Sequence, residues 1–113
     1  MITLWHNPRC SKSRQTLALI EAAGKTHIVR KYLEDTPTVQ ELEQARKALG
    51  VTAIEMLRPK ERLFKELGLK RSDDDATLLA AASANPILIE RPIAFDGTRA
   101  VIGRPPEAIQ ALL

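Results

Sequence analysis

What most restricts the fold is the punctuation of residues 2–31. Ile2-Thr3-Leu4-Trp5-His6 is a short apolar strand candidate, and Asn7-Pro8-Arg9 breaks it. Proline lacks the N–H that a strand interior needs. Cys10 follows, and then a helical run from about Ser13 to Ala23, with Leu17 and Ile20 on one face. Gly24 can take the left-handed conformation that ends helices. Thr26 to Lys31, centred on Ile28-Val29, is a second strand candidate. A strand, a helix and a strand in so short a stretch imply a βαβ unit with parallel strands. The chain therefore reads as α/β.

The helical middle is different in kind. Thr38-Val39-Gln40-Glu41 is a capping-box pattern, and Val39, Leu42, Ala45 and Leu49 follow at helical spacing up to Gly50. Thr52 to Glu55 opens a second short helix, with Ile54 and Leu57, that ends before Pro59. Glu61 to Leu67 forms a third, closed by Gly68. Ser72 or Asp73 caps a fourth that runs to Ala84 and stops at Asn85-Pro86. Asp73, Asp74 and Asp75 read as a solvated capping turn favoured by the helix dipole. Strands return at Ile93-Ala94-Phe95 and Ala100-Val101-Ile102, around the hairpin signal Asp96-Gly97. Pro105-Pro106 starts a last helix with Ile109 and Leu112 facing in. The order is β-α-β, about four helices, β-β-α. Both flanks are too short to fold alone, so the middle, at about residues 38–84, reads as an insertion in a single domain of residues 1–113.

Cys10 lies where the chain enters its first helix. A helix N-terminus offers unpaired N–H groups and a positive dipole end, and neighbouring cations add to it. Such a setting favours a thiolate, which is the nucleophilic form, and the same N–H groups cradle anions. A lone cysteine can instead simply pack. Here Arg9, Ser11, Lys12, Ser13 and Arg14 surround it in sequence, a poor setting for a core residue.

Composition excludes several classes. At 113 residues, 44% hydrophobic and 27% charged, the chain suits one globular domain with a real core. A net charge of +3 mildly favours anionic ligands. No arginine-rich tail, interleaved aromatics or zinc-finger spacing points to nucleic acid. The apolar runs are too short for a membrane span, and nothing resembles a secretory leader. One cysteine and two histidines, widely spaced, do not make a metal site. The scattered glycines form no nucleotide loop. The expected setting is a reducing cytoplasm.

Arg58, Arg91 and Arg104 each precede a proline, at Pro59, Pro92 and Pro105. Guanidinium groups at element ends can converge on a tetrahedral oxyanion, which they bind in a two-pronged way. Pro92, after a charged loop and before an apolar strand, is a candidate cis peptide. His6, four residues before Cys10, has two readings. It either takes the cysteine proton or stabilises the thiolate as a cation, or it is a strand-end histidine bonded to backbone.

Beyond these readings, the chain resembles the arsenate-reductase family that works with glutathione and glutaredoxin. The matching features are Trp5-His6-Asn7-Pro8, Cys10 with Ser13-Arg14, Tyr32-Leu33-Glu34, Leu57-Arg58 and Leu67-Gly68-Leu69. Asn85 through Ile93 and Gly103-Arg104-Pro105 complete them, with compatible spacing from residue 2 to the C-terminus. The resemblance implies a thioredoxin-like fold with a helical insertion and a cis bond before Pro92. It implies Cys10 as nucleophile, Arg58, Arg91 and Arg104 as oxyanion ligands, His6 tuning Cys10, and Ser13 hydrogen-bonded to the thiolate. It further implies glutathione as co-substrate, glutaredoxin as partner and no bound cofactor, in a monomer without nucleic-acid or membrane partners. Cys10 thiolate would attack arsenate, glutathione would attack the adduct as arsenic becomes trivalent, and glutaredoxin would resolve the glutathione link. Family members often carry Cys-Gly-Thr-Ser-Arg where this chain has Cys10-Ser11-Lys12-Ser13-Arg14, which aligns it with a less-characterised branch.

Two other functions share these features. One is a glutathione-linked thiol/disulfide oxidoreductase that needs no oxyanion. The other is a redox-related regulator binding RNA polymerase, although such regulators typically carry a second cysteine where Ser13 stands.

Overall fold

The computed structural model describes residues 1–113. The chain forms two compact units, residues 1–35 with 91–113, and residues 36–90.

The first unit holds the sheet. Strand β1 (Ile2–Trp5), helix α1 (Ser11–Ala22) and strand β2 (His27–Arg30) form the expected βαβ unit. β1 and β2 are parallel, with Ile2 opposite His27 and Trp5 opposite Arg30. β3 (Ile93–Asp96) lies antiparallel to β1, and β4 (Arg99–Ile102) antiparallel to β3. The sheet order is β2-β1-β3-β4. This mixed sheet, with its crossover helix and C-terminal hairpin, is the thioredoxin-like arrangement. Ile2 and Leu4 point to one face of β1 and are buried with Ala94, Ile20 of α1, Ile109 and Leu112. On the other face Trp5 lies 4.8 Å, centroid to centroid, from Phe95, and Arg30 sits 5.6 Å over its ring. β2 is a sheet edge, which is why the apolar pair that marked it in the sequence stays exposed, Ile28 at 53% and Val29 at 37%.

Two local expectations shift. The hairpin tip is Gly97-Thr98 rather than Asp96-Gly97, because Asp96 still pairs with Arg99 across the strands. Asp96 also accepts a hydrogen bond from Arg99 Nη2 at 2.9 Å, and Gly97 takes the left-handed φ of +63° that the turn requires. The last helix, Pro106–Leu112, is a 3-10 helix, held by bonds such as Ala108 N–H to Pro105 O at 2.9 Å. Short helices readily take this tighter form. Ile109 and Leu112, three residues apart, still reach the core.

The second unit is helical. It comprises α2 (Val39–Leu49), a 3-10 turn at Ala53–Met56, α3 (Arg62–Glu66), α4 (Asp75–Ala84) and a 3-10 turn at Pro86–Leu88. The capping box is present: Glu41 N–H donates to Thr38 Oγ1 at 3.1 Å, and Thr38 N–H to Glu41 Oε1 at 3.0 Å. Asp74, rather than Ser72 or Asp73, caps α4 by accepting from Thr77 N–H at 2.8 Å. Asp75 does more than fill a solvated turn, since its Oδ1 accepts from Ala53 N–H at 3.0 Å and ties α4 to the first 3-10 turn. Leu42, Ala45, Met56, Phe64, Leu78, Leu79 and Leu88 are buried. Leu57 and Ile89 pair as an isolated β-bridge within this unit.

Thr38→Ala removes one half of the α2 box. We expect about 1 kcal/mol of lost stability, read from the urea midpoint; an unchanged midpoint would mean that packing alone holds this helix.

Candidate functional site

Cys10 is the N-cap residue of α1, with extended backbone at φ −94° and ψ 123°. The helix starts at Ser11, two residues earlier than its apolar periodicity indicates, so the cysteine adjoins the first turn directly. Its carbonyl accepts the N–H of Arg14 at 3.0 Å, while its side chain caps nothing. Cys10 is 8% exposed, more covered than its charged sequence neighbours imply.

The approach to Cys10 is organised by Asn7. Its carbonyl accepts Cys10 N–H at 3.0 Å, its Oδ1 accepts Arg9 N–H at 3.0 Å, and its own N–H donates to Ser13 Oγ at 3.0 Å. Arg14 Nη1 closes the loop by donating to Pro8 O at 2.9 Å. Sequence reasoning passed over Asn7; the available signal was an asparagine before proline, whose side chain favours bonding backbone two residues on.

Ser13 and His6 form one buried pair. Ser13 Oγ lies 2.6 Å from His6 Nδ1, and Ser13 is fully buried. His6 N–H is fixed separately, donating to Arg30 O at 2.8 Å. The ring's partner is thus a hydroxyl rather than backbone. Burial lowers the His6 pKa from its ordinary value, and the charges of Lys31 and Arg14 lower it further. Both effects favour the neutral ring.

Arg91 and Arg104 occupy neighbouring loops. Both Arg91-Pro92 and Arg104-Pro105 are cis; the first matches the expectation, and the second was not anticipated. Arg104 Nη1 donates to Arg91 O at 3.2 Å, and Gly103 N–H to Pro92 O at 2.9 Å. A Cβ on Gly103 would stand 2.5 Å from Thr16 Oγ1 and 2.8 Å from Pro92 Cγ. Thr16 is fully buried on α1, its hydroxyl donating to Lys12 O at 2.9 Å. The two Arg-Pro loops and the helix that Cys10 begins are therefore packed together through a glycine contact. Arg58 stands in the second unit, ion-paired with Glu61, its N–H donating to Leu88 O at 2.7 Å.

The arrangement can present a thiol, a neutral imidazole, a hydroxyl and two guanidinium groups within one unit. No group of three or more His, Cys, Asp or Glu side chains is gathered as metal ligands. No helix is long and apolar enough to cross a membrane.

Two outcomes test this geometry. Gly103→Ala should cost about 1–3 kcal/mol in denaturant unfolding, because neither the Pro92 ring nor buried Thr16 can move freely. Cost near zero would mean that the contact is soft. For His6, a folded pKa below 6.5 means the unfolded chain binds more protons as pH falls through that value. Stability should fall as pH drops below about 6.5, and His6→Gln should flatten that part of the profile. Identical profiles in the two proteins would contradict the burial argument.

Comparison with known proteins bears on this geometry. A sequence profile of the ArsC family matches residues 5–112. The arsenate reductase of Haemophilus influenzae is 44% identical, covering 99% of this chain and 98% of its own. The uncharacterized protein YfgD of Escherichia coli K12 is also 44% identical, over 96% of this chain and 92% of its own. Among solved structures, the arsenate reductase from Vibrio cholerae superposes with a TM-score of 0.95 at 46% identity, covering 99% of this chain and 97% of that one. Fold, motifs and full-length similarity agree: the chain belongs to the ArsC family.

Proposed function

We propose that the chain is a thiol-dependent arsenate reductase, acting through Cys10 with electrons from glutathione and glutaredoxin. The observation that carries this reading is the Gly103 contact with Thr16 and Pro92, which packs two arginine loops on the helix that Cys10 begins. Similarity over 99% of the chain to proteins named arsenate reductase supports it.

In the first step the Cys10 thiolate attacks arsenic, a sulfur–arsenic bond forms, and one oxygen leaves as hydroxide or, with a proton, as water. The first-turn N–H groups of α1, with Arg91 and Arg104, suit the charge on the remaining oxygens. Arg58 enters this reading through the family motif alone. The neutral His6 can donate from Nδ1 to Ser13 Oγ, which also accepts Asn7 N–H. That tautomer leaves the Ser13 proton available to the thiolate, and Ser13 is the third helical residue, towards which an N-cap side chain turns. Glutathione thiolate then displaces a second oxygen from arsenic. A glutaredoxin thiolate attacks the glutathione sulfur, forming a disulfide, and the electron pair of the broken sulfur–arsenic bond stays on arsenic. Hydrolysis of the Cys10–arsenic bond releases arsenite and restores the thiol. External thiols fit a chain whose single cysteine has no internal resolving partner. A reducing cytoplasm would supply them, to a monomer folded as one thioredoxin-like domain with a helical insertion.

The test is arsenate-dependent NADPH oxidation with glutathione, glutaredoxin and glutathione reductase supplied. Cys10→Ser should fall to background while remaining as stable as the wild type or slightly more so, because serine is a preferred N-cap at this backbone geometry. Arg91→Lys should lower kcat/KM by roughly 10- to 100-fold despite its retained charge, since the fork geometry is lost. Full turnover in Cys10→Ser would end this reading.

A further inference from the structure

Beside the approach to Cys10 lies a hollow of about 280 Å³, lined by His6, Asn7, Pro8, Arg9, Lys31, Leu33 and Glu34. Two stretches form it: the loop that delivers Cys10, and the turn that leaves β2. They are joined at their base by His6 N–H donating to Arg30 O at 2.8 Å. The second stretch is held in a turn by Glu34 and Asp35, whose N–H groups both donate to Lys31 O, at 3.0 and 2.9 Å. The hollow has room for a ligand larger than a lone tetrahedral oxyanion, given that a water molecule occupies about 30 Å³ in the liquid. The mechanism above uses none of Arg9, Lys31, Leu33 or Glu34.

The chemistry of the lining is specific. It carries two cations, Arg9 and Lys31, one carboxylate, Glu34, and two apolar side chains, Pro8 and Leu33, the latter 40% exposed. The Arg9, Lys31 and Glu34 side chains enter no hydrogen bond or ion pair within the fold. Lys31 is near enough to His6 to act on its ring by charge. A ligand complementary to this wall has two carboxylates, one ammonium group and a short flexible body. It must also bring its reactive atom towards Cys10.

We infer that this hollow is the seat of the thiol co-substrate, a small peptide thiol with two carboxylates and one ammonium group. Arg9 and Lys31 receive its carboxylates, Glu34 its ammonium group, and Leu33 packs on its methylenes. The inference deepens the proposed function and rests on its use of an external thiol. It assigns that thiol a binding surface distinct from the oxyanion ligands, so the second nucleophile is held in place rather than met by collision.

The test is a titration with S-methylglutathione, followed by amide chemical shifts at 0.15 M salt, where exposed charges act only over about 8 Å. Shifts should saturate and concentrate at residues 6–9 and 31–34. Lys31→Ala and Arg9→Ala should each weaken binding about tenfold, and Lys12→Ala, outside the hollow, should leave it unchanged. Glu34→Gln should weaken the peptide while leaving N-acetylated S-methylglutathione, which lacks the ammonium group, unaffected. Shifts that fail to saturate, lie elsewhere, or weaken equally in Lys12→Ala would overturn the inference. No arsenate is present, so absence of arsenate turnover would sink the proposed function without altering this result. A second readout follows the attack of Cys10 thiolate on oxidised glutathione, which forms a mixed disulfide and expels one glutathione thiolate. Lys31→Ala should slow that reaction about tenfold and leave the reaction with neutral hydroxyethyl disulfide unchanged; equal slowing with both disulfides would contradict a charge-reading subsite.

Discussion

The absence of a side chain at Gly103 lets three pieces of the first unit meet. A Cβ there would fall 2.5 Å from Thr16 Oγ1 and 2.8 Å from Pro92 Cγ, so the loop before Arg104 lies directly on α1 and on the proline after Arg91. Interiors are close-packed, and a contact this short transmits position from one element to another. The Cys10 helix and both arginine loops thereby share one reference point. The reverse side of Cys10 is held by Asn7, which uses its N–H, its carbonyl and its side-chain oxygen on three partners within residues 9–13. Between them, these contacts fix the start of α1 without requiring the cysteine to act as a cap.

Electrostatics follows from that placement. The N-terminus of α1 contributes a partial positive charge, and Arg9, Lys12 and Arg14 add full ones nearby in sequence. Burial first, and then the charges of Lys31 and Arg14, push the His6 imidazole toward neutrality. Ser13 connects the imidazole to the loop.

Much of this was legible in the sequence, for stated reasons. Residues 2–31 declare a βαβ unit because Pro8 and Gly24 punctuate it, and Thr38 and Glu41 declare a helix start through reciprocal side-chain bonds. The seating of Cys10 at a helix start follows from the same punctuation. Other features depend on contacts that local pattern does not carry. Whether a short helix is α or 3-10 turns on one residue of hydrogen-bond register, which is why Ala53–Met56 and Pro106–Leu112 differ from expectation. The hairpin tip moved by one residue because the Asp96–Arg99 ion pair lies across the strands. Gly103 stood out only as part of the Gly103-Arg104-Pro105 motif and not as a packing contact, since its role lies in what stands against it, and the partnership of Asp75 with Ala53 spans 22 residues of sequence.

The central claim is that arsenate binds where Cys10 can attack it, held by the arginine loops packed on α1. The most direct measurement is the rate of Cys10 alkylation by iodoacetamide with and without arsenate, in the absence of any thiol. The account predicts that arsenate slows alkylation in a saturable way and that Arg91→Lys weakens the protection. An alkylation rate indifferent to arsenate, in a protein that still reduces it when thiols are supplied, would contradict the account.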